Sequence, residues 1–155
     1  MAKRKPKSQY VKQVTYKKYM MAQSVLSNSQ YMSIKDEFLS KFFLCEIACK
    51  SVLEYYKKIQ ENQFDEKDIK LTMKSIPAAF NKFGYEIDNH ILGSIFGGSK
   101  KRGQKSAKKL RDCIVHSLSE EDIKEVIERK DSLYSSMNAF LLFIERAGNN
   151  TTTSQ

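Results

Sequence analysis

The sequence predicts an all-α fold, an up-and-down helical bundle of about four main helices with a short helical insertion. Only two prolines and six glycines occur in 155 residues, which leaves little room for the many tight turns of an all-β protein. The apolar residues of the longer segments recur three or four positions apart, the spacing of an amphipathic helix. Hydrophobic residues make up 41% of the chain and include nine Phe and eight Tyr, enough for one buried core.

The pattern divides the chain into one domain and two tails. Residues 1–8 are basic and contain Pro6, so we expect a disordered tail there. Residues 9–147 carry the helical spacing and are predicted to form a single helical domain. Residues 148–155 are polar, and we expect them to form a second disordered tail.

The first half of the domain predicts two helices. The first runs from Ser8 to about residue 28, with apolar residues at helical spacing: Tyr10, Val14, Met21 and Val25. The second, roughly Ser33 to Glu61, is expected to be the longest and most buried helix. Its main apolar face consists of Ile34, Phe38, Phe42, Cys45, Cys49, Leu53 and Tyr56.

The long helix carries a second apolar stripe on what would otherwise be its polar side. This stripe consists of Leu39, Phe43 and Ile47. One stripe is a core face, whereas two stripes mean that a helix packs on both sides. We therefore expect another helix, or a second subunit, to cover these side chains.

A third helix is predicted from an N-cap at Asp65, with apolar residues at helical spacing from Ile69 to Phe83. Pro77 lies inside this pattern and is expected to kink the helix or to split it in two. Gly84 suits a C-terminal turn.

The second half of the chain predicts a short insertion and two further helices. Residues 88–89 are expected to cap a short helical turn that residues 97–98, both glycine, bring to an end. The Lys-rich segment 99–105 is predicted to be an exposed loop. A helix begins near Ser106, and a fresh start at Ser119 leads into a long helix whose first turn is acidic, as the helix dipole favours.

The formal net charge of +9 suggests a polyanionic partner. Basic side chains are concentrated in two segments without any acid, with seven in residues 1–18 and six in residues 100–109. The first segment is interpreted as a solvated tail. The second directly precedes the segment Leu110 to His116, so we expect it to bind nucleic-acid phosphates, which the resemblance described below identifies as those of RNA. Its basic residues are Lys100, Lys101, Arg102, Lys105, Lys108 and Lys109.

An arginine followed by a histidine five positions later marks the candidate catalytic segment. Arg111, the polar Asp112 directly after it, and His116 resemble the R-x(4–6)-H motif of the HEPN ribonucleases. Members of that family are compact helical bundles that dimerise and cut RNA without a metal ion, so no cofactor is expected. The resemblance implies that Arg111 binds the scissile phosphate, that His116 transfers protons and that Asp112 orients one or both.

This chemistry agrees with the residue types. Cleavage of RNA by its own 2′-hydroxyl needs a base, an acid and positive charge at the phosphate. Histidine serves as base or acid near neutral pH, and the arginine fork matches phosphate oxygens. One histidine does not easily do both, so the resemblance implies a homodimer in which two motifs share a cleft. Such domains commonly serve as toxins or in phage defence, which makes an antitoxin protein a further candidate partner.

Regular helical geometry separates the two main residues of the motif. Five residues correspond to roughly 500° of rotation, so Arg111 and His116 would point about 140° apart. The motif then requires the helix to end or distort between them, or the side chains to reach round to one groove. Glu46, at the edge of the core face of the long helix, is a candidate to pair with Arg111. A partly exposed carboxylate without a special role is the simpler interpretation.

Two alternatives to catalysis stay open. Cys45, Cys49, Cys113 and His116 would supply four zinc ligands, although the first two lie in the core stripe, where cysteine is commonly buried. A non-catalytic helical RNA-binding or protein-interaction module would use the basic segments and leave the histidine without a role.

The cysteine content and the absence of apolar runs bear on the compartment. Three cysteines make no disulfide framework, and the first residues lack the apolar stretch of a signal peptide. No apolar run approaches the length of a membrane span. The sequence thus predicts a reduced, cytoplasmic protein without membrane association.

Overall fold

The structure is a computed structural model that describes residues 7–60, 69–98 and 104–153. Within these ranges it contains seven α-helices and no strand, which confirms the all-α class. The helices are α1 (Ser8–Leu26), α2 (Ser29–Gln60), α3 (Ser75–Lys82), α4 (Asn89–Phe96), α5 (Ala107–Ser117), α6 (Glu120–Glu128) and α7 (Lys130–Thr153). The expected count of about four main helices is not confirmed, because the second half of the chain is divided into more and shorter helices.

The two N-terminal helices agree with their predictions. A short turn around Asn28 separates α1 from α2, and the Asn28 side chain accepts a hydrogen bond of 3.1 Å from the backbone N–H of Tyr31. With 32 residues α2 is the longest helix among those described, and it contacts α1, α3, α5, α6 and α7. Its main apolar face is buried, as predicted, at Phe38, Phe42, Cys45, Cys49 and Leu53.

The prediction for the third helix is wrong about Pro77. The proposed cap at Asp65 lies outside the described residues, and residues 69–74 are not helical. Because α3 begins only at Ser75, Pro77 falls in its first turn. The N–H groups of a first turn have no partner within the helix, so proline neither kinks nor splits α3 there. Gly84 follows the helix with φ +77°, the left-handed conformation that its lack of a Cβ permits.

Three predicted helix starts are confirmed by side-chain caps. The side chain of Asp88 accepts a hydrogen bond from the backbone N–H of His90 at 2.8 Å and starts α4. Ser106 starts α5 and Ser119 starts α6 in the same way, with distances of 3.2 and 3.1 Å. Each cap satisfies a backbone donor that the helix cannot satisfy itself, an effect of about 1 kcal/mol.

The long helix predicted from Ser119 onward is two helices. Arg129 breaks it with φ −103° and ψ 13°. Its guanidinium donates a hydrogen bond of 2.7 Å to the backbone carbonyl of Lys105 and pairs at 2.8 Å with Glu125. These contacts hold the corner between α6 and α7.

The predicted disordered tails receive one correction. Helix α7 continues to Thr153, past Gly148, where the sequence analysis ended the domain. A glycine lowers the stability of a helix by about 1 kcal/mol relative to alanine, but it does not end one by itself. Residues 1–6 and 154–155 lie outside the described part of the chain. The tail prediction for residues 1–6 therefore stays a prediction.

The core is built around a run of phenylalanine rings from four helices. Phe42 of α2 lies 6.2 Å from Phe96 of α4, measured between ring centroids, and Phe96 lies 5.7 Å from Phe140 of α7. Phe80 of α3 is 6.0 Å from Phe140. Each such pair adds about 0.5–1.5 kcal/mol beyond the area that it buries. Helix α5 lies at the edge of this core, where it contacts α2, α4 and α6 and buries Leu110.

None of the helices that the structure describes is both long enough and apolar enough to cross a membrane.

Candidate functional site

Arg111, the first residue of the motif, is held from three sides. Its Nη2 donates a hydrogen bond of 2.9 Å to Oε2 of Glu46 on α2, so the two residues do pair. Its Nε lies 3.1 Å from Oδ1 of Asp112, a distance for an ion pair, but it has no hydrogen-bond partner among the described residues. The guanidinium also lies over the ring of Phe42, 5.1 Å from the ring centroid. Arg111 is therefore already partnered within its own chain.

The charges around Arg111 are nearly balanced. Two carboxylates, those of Glu46 and Asp112, oppose one guanidinium, and Lys50 adds a second cation 3.4 Å from Glu46. The Arg111 side chain keeps 24% of its surface exposed. A phosphate that approaches this side chain would meet little net positive charge, and it would have to compete with Glu46.

His116 is exposed and lies in the last turn of α5. The helix stays regular through Ser117 and ends at Leu118, whose φ of 45° is left-handed. It neither ends nor distorts between Arg111 and His116, so the two side chains leave the helix about 140° apart. Asp112 leaves the helix between them, on the side opposite the buried Leu110. Within one chain, the motif spans the exposed face of α5 and does not converge on one point.

His116 faces a groove of about 580 Å³ between α1 and the junction of α5 with α6, which we call the His116 groove. Lys18 and Tyr19 of α1 line one wall, and Leu118 and Glu120 line the other. Lys18 makes no ion pair with any described residue. The groove therefore combines a histidine for proton transfer with a cation that can face a phosphate.

Sequence reasoning missed Lys18 and Tyr19. The signal was present, since residues 1–18 carry seven basic side chains and no acid. This basic segment was interpreted as a solvated tail, because the sequence does not show that α1 lies beside the end of α5.

A carboxylate stands at the α6 side of the groove. Oε1 of Glu120 accepts a hydrogen bond of 3.0 Å from the Tyr31 hydroxyl and lies 3.2 Å from Nζ of Lys124. The contacts with Lys124 first, and with Tyr31 second, hold the pKa of Glu120 below its ordinary value. The same hydrogen bond raises the pKa of Tyr31. Glu120 thus stays ionised in the groove, and it favours a substrate whose phosphate lies toward Lys18.

The six basic residues proposed to bind RNA fall into three groups: three outside the described residues, two bonded within the chain and one exposed. Lys100, Lys101 and Arg102 lie outside the described residues. Lys105 is bound to Asp122 at 2.8 Å, and this hydrogen bond raises the pKa of Lys105. Lys108 donates to the backbone carbonyl of Leu71 at 2.8 Å. Lys109 is exposed and forms no ion pair with the part of the chain that the structure describes.

The four residues of the zinc alternative are not brought together. Cys45 and Cys49 are fully buried in the core, and burial raises the pKa of each thiol to about 12. Cys113 is half-buried on α5, and His116 faces the groove. In the described ranges no group of three His, Cys, Asp or Glu side chains is close enough to hold a metal ion.

The second apolar stripe of α2 is only partly covered. Leu39 is half-buried, whereas Phe43 is 43% and Ile47 is 67% exposed. Val115, one turn after Arg111 on α5, is 55% exposed as well. Within the described part of the chain no helix covers Phe43 or Ile47.

Comparisons of the chain with protein-family models, with curated proteins and with solved structures found no match. The resemblance to the HEPN ribonucleases therefore depends on the motif Arg111–Asp112–His116 and on the all-α class.

Proposed function

We propose that the protein is a metal-independent endoribonuclease of the HEPN type that acts as a cytoplasmic homodimer. The observation that carries the proposal is the position of His116, exposed at the end of α5 and facing a groove with Lys18 on its opposite wall. A histidine across a groove from a cation that forms no ion pair with the described residues is suited to proton transfer at a phosphate.

In this proposal the 2′-hydroxyl of the RNA attacks the adjacent phosphorus, and the bond to the 5′-oxygen breaks. His116 takes the proton from the hydroxyl or gives one to the leaving oxygen. Lys18 stabilises charge on the phosphate, and Arg111, oriented by Glu46 and Asp112, contributes a second cation. Two chains supply two histidines, one as base and one as acid.

The exposed apolar side chains near the motif support a dimer. Phe43 and Ile47 on α2 and Val115 on α5 flank the Glu46–Arg111 pair. Covering these side chains with a second copy would bury apolar surface at about 25 cal/mol per Å². It would also bring two α5 helices, and so two motifs, into one cleft.

The chemistry of the products tests the proposal. Purified protein should cut single-stranded RNA in the presence of EDTA and leave a 2′,3′-cyclic phosphate and a 5′-hydroxyl, measured by mass spectrometry of the fragments. The same strand with 2′-O-methyl groups should resist cleavage, because its hydroxyl is blocked. An intact RNA after prolonged incubation, or activity that EDTA abolishes, would overturn the proposal.

A second candidate is a non-catalytic helical RNA-binding or protein-interaction module. The observation that favours it is the engagement of Arg111 by Glu46 and Asp112, which leaves that guanidinium little capacity for a substrate. RNA binding without any cleavage would identify this function.

The biological role that the resemblance implies is a toxin or an effector of phage defence, restrained by an antitoxin protein. Expression of the wild-type chain in bacteria should then arrest growth, and expression of a His116→Ala chain at the same level should not. Equal growth of the two strains would contradict this role.

A further inference from the structure

Helix α1 carries an exposed aromatic and basic face that the proposed catalytic roles leave largely unused. Val25 is its only buried residue among those described. Tyr16 and Tyr19 are 64% and 60% exposed. Lys12, Tyr16 and Tyr19 follow each other at spacings of four and three residues, so they lie on one side of the helix.

This face is continuous with the His116 groove. A shallow depression of about 410 Å³ on α1 is lined by Lys12, Tyr16 and three neighbours, two of which, Thr15 and Tyr19, also line the groove. One track therefore leads along α1 to His116. Its length from Lys12 to Tyr19 is about 10 Å at the rise of an α-helix.

The α1 side of the track carries positive charge. No acidic residue precedes Asp36 in the sequence, and eight Lys and Arg residues do. Among the described residues, Lys12 and Lys18 form no ion pair. A phosphate chain is the polymer that such a surface attracts.

From these observations we infer that the substrate is single-stranded RNA, bound along α1 with unpaired bases stacked on Tyr16 and Tyr19 and phosphates beside Lys12 and Lys18. The inference rests on the proposed ribonuclease function and gives its substrate class. Exposed tyrosine rings offer a stacking surface that every base can use. Duplex RNA keeps its bases stacked inside the helix, so it cannot use these rings.

A membrane surface fits α1 less well. A helix that lies on a membrane collects its apolar side chains on one face. On α1, Tyr16 lies about 180° and Tyr19 about 120° from Val25, which points into the core. Tyr16 and Tyr19 thus lie away from the apolar stripe of α1 and share their side with Lys12.

The inference is tested by binding, separately from cleavage. The probe is a short, unstructured, fluorescein-labelled 2′-O-methyl RNA, which the proposed reaction cannot cut, and the readout is fluorescence anisotropy with the full chain. Tyr16→Ala/Tyr19→Ala should weaken binding at least about 30-fold, because the double change removes both rings on which bases stack. Tyr16→Phe/Tyr19→Phe keeps the rings and should bind within about threefold of the wild type.

Two further variants sharpen the test. Lys12→Ala/Lys18→Ala should lower the slope of log affinity against log salt concentration by about 0.7 for each lost contact. Tyr55→Ala removes a tyrosine on α2 that is 58% exposed, and it should leave binding unchanged. Thermal unfolding should be the same for all variants, because the replaced side chains are exposed.

Three results would overturn the inference: equal affinity for the complementary duplex, unchanged binding by the double alanine variant of the tyrosines, or binding to phosphatidylserine–phosphatidylcholine vesicles in place of RNA. Failure of the ribonuclease proposal looks different. Tyrosine-dependent binding of the single strand without cleavage of ordinary RNA would remove the enzyme and keep the surface. Cleavage that is insensitive to both tyrosines would remove the surface and keep the enzyme.

Discussion

Arg111 and His116 belong to one helix, yet their surroundings differ in charge, exposure and available partners. Arg111 contacts two carboxylates and the ring of Phe42. His116 is exposed and borders a groove that also contains Lys18. The difference teaches that the spacing of a motif identifies candidate residues but does not show which of them already has partners within its own chain. The Arg111 end is built like a structural ion pair, and the His116 end is built like a reaction site.

This contrast has a consequence for any phosphate contact by Arg111. The guanidinium can reach a substrate only with the side that Glu46 and Asp112 do not hold. Its hydrogen bond to Glu46 also fixes the fork before a substrate arrives, which lowers the entropy lost on binding. In the proposed reaction Arg111 is thus suited to positioning, whereas His116 and Lys18 would meet the substrate directly.

The largest expected effect is at the His116 end. His116→Ala should slow RNA cleavage about 10²–10⁴-fold, the usual loss when a positioned acid or base is removed, with RNA affinity and thermal stability unchanged. His90→Ala is the matched control, since His90 is the other histidine of the chain and is also exposed. Cleavage rates of the two variants, purified in parallel, measure the effect. Equal rates would break the assignment of His116 as the reactive end.

The next effect concerns the surface between the two ends. Ile47→Lys places a charge in the exposed apolar stripe and should weaken dimerisation at least about tenfold, as expected for a central interface residue. Leu142→Lys is the control on α7, where Leu142 is 44% exposed. Light scattering over a range of protein concentrations gives the dimer fraction. A wild-type chain that is monomeric throughout, or an Ile47→Lys chain that dimerises normally, contradicts the proposed interface.

A smaller effect is expected at the Arg111 end, and it is one of stability. Arg111→Ala removes the partner of Glu46 and the packing on Phe42, so the free energy of unfolding should fall by about 1–2 kcal/mol. Arg111→Lys should recover only part of this loss, because an ammonium lacks the fork. Urea unfolding of both variants measures the difference. Unfolding of Arg111→Ala at the wild-type midpoint would show that the ion pair contributes nothing.

The sequence was informative where structure depends on neighbouring residues. The helix starts at Asp88, Ser106 and Ser119 were predicted correctly, because a helix start depends on a cap between a side chain and a backbone N–H two or three residues away. The corner at Arg129 was missed, since it depends on a bond to the distant carbonyl of Lys105. For the same reason the sequence did not show that Lys108, a predicted RNA contact, donates a hydrogen bond to the backbone of residue 71.

The candidate site follows the same division. The motif spacing named Arg111 and His116, and the helical repeat predicted that they point apart. Lys18 and Tyr19 precede His116 by 98 and 97 residues in the chain, and only tertiary packing brings them to it. A periodic pattern reports which face of a helix is buried, but not which helix lies beside it.

The smallest effect is a pH dependence at the His116 end. The pKa of Glu120 is lowered from its ordinary 4.5 by hydrogen bonds with Lys124 and Tyr31. A depressed carboxyl pKa stabilises the fold fully above the unfolded value, and this contribution is lost as the pH falls through the folded value. Glu120→Gln should therefore be slightly less stable than the wild type at pH 7, and the gap should close below pH 4.5.

Thermal unfolding of both chains between neutral and acidic pH measures this gap. Glu121→Gln is the control, because the adjacent Glu121 side chain accepts no hydrogen bond from the residues that the structure describes. Its stability relative to the wild type should not follow the Glu120 curve. A gap that stays constant, or that widens as the pH falls, would mean that Glu120 is not held ionised by Lys124 and Tyr31. The two contacts would then contribute no pH-dependent stability at the α6 side of the His116 groove.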